Sequence, residues 1–119
     1  RHLEKMGQDP TNGIELVRDG KVVPELLDVF KLIRDYDVVL GTAHVSPEEA
    51  FVVVEAAKDA GVKKIVITHP EWWVVDMSID DQIRLVKDYP GTVLRTEYGR
   101  RCLQEQSPGQ SGNHQNSRL

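Results

Sequence analysis

Two histidines each close a short apolar run: Asp37-Val38-Val39-Leu40-Gly41-Thr42-Ala43-His44 and Lys64-Ile65-Val66-Ile67-Thr68-His69-Pro70. Neutral imidazole is the commonest protein ligand for a catalytic metal. If the two runs are neighbouring parallel strands, a separation of about 4.8 Å brings both rings to one edge of a sheet. Open and closed α/β folds hold their active sites at the carboxyl edge of the strands. The pattern therefore points to His44 and His69 as ligands of a shared divalent metal. The competing reading for either residue is a loop histidine bonded to nearby backbone.

Other residues fall where they could serve the same edge. Thr42 and Thr68 stand two and one residues before the histidines, placed either to line a site or to satisfy local backbone. Glu71 and Asp76 follow His69 in one loop, and Glu97 ends the next strand. Each could bind metal, accept a proton or orient a histidine, against the plainer role of a solvated carboxylate. Trp72, beside Trp73, is suited to wall a ligand pocket or to cap the core. Gly41-Thr42-Ala43-His44 lacks the further glycines and the lysine of a phosphate-binding loop. Cys102 lies far from any strand-end histidine, and Ser46 has no G-x-S-x-G elbow, so neither reads as a nucleophile.

The elements that must position these residues can be read from caps and periodicity. Asp19-Gly20 between Ile14–Arg18 and Lys21–Val23 is a hairpin signal, because a type I′ turn needs positive φ at both central residues. Pro24 opens a helix in which Leu26, Val29, Phe30 and Ile33 follow the i, i+3, i+4, i+7 template to about Tyr36. Ser46, Pro47 and Glu49 form a capping-box start for a second helix with Ala50, Val53, Val54 and Ala57 buried and Gly61 as its stop. A third helix is expected from Ser78 to Tyr89 with Ile79, Ile83 and Val86 inward, followed by a strand over 92–96. The helices are expected to pack on a sheet of residues 38–40, 65–67 and 93–95. Strands starting near residues 37, 64 and 92 have the spacing of βαβ units, so the fold class is α/β with parallel strands.

Composition bounds the rest. The 119-residue chain reads as a leading loop over 1–13, one α/β domain over 14–99, and a Gln/Ser/Gly/Asn-rich tail over 100–119 expected to be disordered. A net charge of −4 argues against nucleic acid or an anionic membrane as partner. One cysteine, no long apolar stretch and no signal-peptide core fit a cytoplasmic protein. The absence of an initiator methionine suggests a chain that begins within a longer one.

Residues 41–49 (GTAHVSPEE), 60–71 (AGVKKIVITHPE) and 77–82 (MSIDDQ) resemble the amidohydrolase-like, metal-dependent TIM-barrel hydrolases, in particular a cytosolic amidohydrolase-related branch. The resemblance implies a segment of a (β/α) barrel: about three βα units and an N-terminal hairpin. It implies that His44 and His69 are metal ligands after the fifth and sixth barrel strands, with zinc, manganese or iron as the ion. It also implies an H-x-H pair after the first strand and an aspartate after the last, and neither is found in this sequence. On that basis the parent protein is expected to be a hydrolase with a small-molecule substrate as its partner, and this segment alone inactive and prone to homo-oligomerisation. The alternatives are a histidinol-phosphatase-like phosphoesterase and a non-catalytic α/β binding module. The first would need a basic residue facing the site, and Lys63 and Lys64 begin their strand at the opposite end.

Overall fold

The structure, a computed structural model, describes Gly7, Asp9 and residues 13–96. A short antiparallel hairpin comes first, β1 (Val17–Arg18) against β2 (Lys21–Val22), turned by Asp19 and Gly20 at φ 52° and 74°. These angles are those of the type I′ turn that Asp-Gly favours. Helix α1 (Pro24–Asp35) begins on proline and buries Phe30 completely, with Leu26 and Ile33 against the core and Val29 exposed at the margin of the stripe.

Three parallel strands follow in the order β3 (Leu40–Gly41), β4 (Ile65–Thr68) and β5 (Thr92–Arg95). The first strand starts later than the apolar run suggests, because Val38 and Val39 are half-exposed and unpaired in the ladder. Leu40 pairs with Ile65, and the four residues 65–68 pair one to one with 92–95. Helix α2 (Pro47–Asp59) connects β3 to β4, and α3 (Ile79–Asp88) connects β4 to β5. Right-handed crossovers between sequentially ordered strands put both helices on one face of the sheet.

Alternation along the strands agrees. Ile65, Ile67 and Leu94 join the core with Val53, Val54, Ala57 and Leu85, while Val66 and Thr68 are half-buried and Val93 and Arg95 exposed on the other face. The domain is thus a layer of helices on a three-stranded parallel sheet whose second face is left open by the described residues.

The caps are as the sequence suggests. Ser46 Oγ accepts from Glu49 N at 3.2 Å while Ser46 N donates to Glu49 Oε2 at 2.9 Å, and Ser78 Oγ accepts from Asp81 N at 3.1 Å. Gly91 has φ 86°, and a Cβ there would collide with Lys63 O, so the entry to β5 requires glycine.

The face of α3 corrects the sequence expectation. Ile79, Ile83 and Val86 lie outward, at 65%, 55% and 41% exposure, and the buried residues are Gln82 and Leu85. Gln82 can be buried because its amide nitrogen donates to Met77 O at 3.0 Å, which offsets part of the cost of burying it. At the amino edge of the sheet Lys64 Nζ donates to Asp37 Oδ2 at 2.9 Å and to Asp37 O at 3.1 Å. This hydrogen bond holds the Asp37 carboxyl below its usual range, with the Lys64 charge adding to the effect. Among the described residues no helix is long and apolar enough to cross a membrane.

Candidate functional site at the carboxyl edge

The strand ends are locked together before the histidines leave them. Thr42 N donates to Val66 O at 3.0 Å, and Thr42 Oγ1 accepts from Thr68 N at 3.2 Å. Thr42 is 5% exposed, so its hydroxyl ties β3 to β4. Thr68, half-buried, lies on the open face, where its Oγ1 is 3.7 Å from the position a Cβ on Gly41 would take.

Both strands then leave the sheet through left-handed backbone. Ala43 has φ 53° and His69 has φ 46°. For a residue with a Cβ this conformation costs roughly 1–2 kcal/mol. After Ala43 the chain presents His44 on the surface and enters the capping box of α2. His69 keeps its ladder bond, its N donating to Arg95 O at 3.0 Å.

The loop after His69 is folded tightly on itself. Trp72 N donates to His69 O at 3.0 Å, Val75 N and Asp76 N both donate to Trp72 O at 2.8 Å and 2.7 Å, and Met77 N donates to Pro70 O at 2.9 Å. Buried Pro70, Val74, Val75 and Met77 pin this loop to the core, so Trp72 is placed rather than left swinging.

The result is a cluster of three rings. The centroids of His44 and His69 are 5.8 Å apart with planes inclined by 26°. Trp72 meets His44 edge-on at 4.7 Å and His69 at 6.2 Å, and Trp73 packs on Trp72 at 6.3 Å. Two imidazoles bound to one zinc ion at about 2.0–2.1 Å have centroids roughly 5–6 Å apart. The separation of this pair fits a shared ion. Among the described residues no three of the His, Cys, Asp and Glu side chains form a group that could hold a metal. The pair therefore supplies two ligands and not a complete set.

The remaining sequence candidates divide. Trp72 belongs to the ring cluster, and half-buried Glu71 lies in the same loop. Asp76 is exposed at φ 55°, a turn position that aspartate tolerates better than most residues. Glu97 lies outside the described residues. Arg95 was not singled out by the sequence, yet it stands opposite Thr68 at the same edge. Strand alternation from Leu94 is the signal that finds it. A separate groove of about 300 Å³, lined by Val22, Leu27, Val52, Ala56, Lys21, Glu55 and Asp59 among others, contains none of the site residues.

The sequence profile of DUF6282, a family of unknown function, matches residues 1–93. The chain belongs to this family. No curated protein and no solved structure gives a significant match. Within this DUF6282 chain the match spans β1 to α3, including both histidines and the Trp72 loop, and it reaches into β5.

Proposed function

We propose that the carboxyl edge of this sheet is part of the active site of a metal-dependent hydrolase of amidohydrolase type, with His44 and His69 as two of its metal ligands. The observation that supports this most is the approach of the two imidazoles to 5.8 Å at the ends of adjacent parallel strands. Three consecutive parallel strands with their helices on one side also suit a segment of a (β/α) barrel, whose interior would be the face left open here.

A divalent zinc, manganese or iron ion held there would lower the pKa of a bound water and polarise the scissile group of a small-molecule substrate. The chain's own residues perform the positioning. Thr42 fixes the spacing of the two strand ends, and the bonded turn from His69 to Trp72 sets the indole against both imidazoles. The indole covers one flank of the pair and so limits access of water from that side. No third His, Cys, Asp or Glu joins the two histidines in a ligand group among the described residues. The chain alone is accordingly expected to bind metal without turning over amide, ester or phosphoester substrates.

Calorimetric titration of the metal-free chain with zinc or manganese tests this reading. One equivalent is expected to bind, and His44→Ala and His69→Ala should each weaken binding by on the order of tenfold or more while circular dichroism stays unchanged. Absence of stoichiometric binding, or binding indifferent to both substitutions, would overturn it.

A further inference from the structure

Arg95 is the last residue of β5, in register with Thr68 of β4, and its carbonyl accepts the His69 amide. Its neighbour Leu94 turns to the helix-covered core, so the Arg95 side chain leaves on the open face, at the edge where the two histidines stand. The other described arginines are engaged: Arg18 with Glu15, Arg34 with Asp35, and Arg84 with Asp81 and the face of Phe51. Among the described residues Arg95 has no carboxylate partner. In a chain of net charge −4, a guanidinium without a carboxylate partner among the described residues, at the same sheet edge as the paired imidazoles, is a specific feature.

Guanidinium presents a rigid fork of N–H donors that matches the paired oxygens of a carboxylate or phosphate. We propose that Arg95 holds an oxyanion of the substrate, so that the site takes small molecules bearing a carboxylate or phosphate group rather than neutral ones. This rests on the reading of the carboxyl edge as the site, and it gives that edge the basic residue that Lys63 and Lys64, at the far end of β4, cannot provide.

The test uses the isotope-labelled whole chain freed of metal with a chelator, titrated at constant ionic strength with inorganic phosphate in one arm and malonate in another. Saturable shifts are expected in the amides of residues 68, 69, 71, 72 and 95 in at least one arm. The preferred anion identifies the group, phosphate or carboxylate. Arg95→Gln should weaken that binding at least fivefold, and Arg95→Lys by less, because a point charge lacks the fork. No saturable shift in either arm, or shifts that persist in Arg95→Gln, would overturn the assignment. Metal binding measured on the same samples separates the two readings. Metal without anion binding leaves the metal site and removes Arg95, whereas anion binding without metal keeps Arg95 and removes the metal site.

Discussion

Ala43 carries no side-chain group that could compensate its φ of 53°, so its left-handed backbone is held by the strand before it and the capped helix after it. Strain of this kind persists where surrounding structure over-determines the chain, and it collects at functional sites. Ala43→Gly removes the steric cost of roughly 1–2 kcal/mol but frees the unfolded chain by about 0.4–1 kcal/mol. The expected outcome is a small gain in stability, of order 0.5 kcal/mol, with weaker metal binding because His44 is less firmly aimed. Chemical denaturation and metal titration of the one variant check both parts. Thr92 offers a second case at this scale. It is 3% exposed and its hydroxyl has no hydrogen-bond partner among the described residues, so Thr92→Val should leave stability equal or raise it by up to about 1 kcal/mol. Neither position is legible in sequence: alanine gives no sign of positive φ, and threonine is at home in any strand. The histidines are legible because they end apolar runs, and Arg95 is concealed because its strand is short and its partner row is known only from register.

At the level of elements, the turn and the caps were written plainly, since Asp19-Gly20 and Ser46-x-x-Glu49 are chemical devices that act within a few residues. Ser46→Ala should cost about 1 kcal/mol by orphaning the amide of Glu49, read as a lower urea midpoint at unchanged slope. The orientation of α3 departs from its hydropathy pattern for a reason of a different kind. Its sequence has two faces that could be buried, and hydropathy favours Ile79-Ile83-Val86 over Gln82-Leu85. Tertiary context decides otherwise, because Met77 O accepts from the Gln82 amide and Leu85 drops fully into the core. The structure predicts a contrast: Leu85→Ala should cost roughly 2–5 kcal/mol, while Ile83→Lys should fall within about 0.5 kcal/mol of the parent. Equal losses at the two positions would mean that the helix is rotated from the orientation described.

For the whole molecule, the parallel sheet separates what holds the strands from what their ends present. At the amino edge, Lys64 clamps the carboxyl and carbonyl of Asp37, and at the carboxyl edge stand His44, His69 and Arg95. The clamp favours the ionised carboxylate, so the folded-state pKa of Asp37 lies below its unfolded value. A depressed carboxylate contributes stability above the unfolded pKa of about 3.9 and loses it as pH falls through the folded value. Both partners are exposed, so the contribution is small and screened by salt. Asp37→Asn keeps a residue tolerant of the φ of 50° found there while removing the charge. Urea unfolding should show the variant less stable than the parent at pH 7 in low salt, the gap closing at pH 3 and shrinking in 1 M sodium chloride. Metal titration at pH 7 should be the same for both proteins, because the substitution lies at the edge of the sheet opposite the histidines. A gap that widens on acidification would reverse the sign assigned to Asp37, and a change in metal affinity would show that the two edges are coupled through β4.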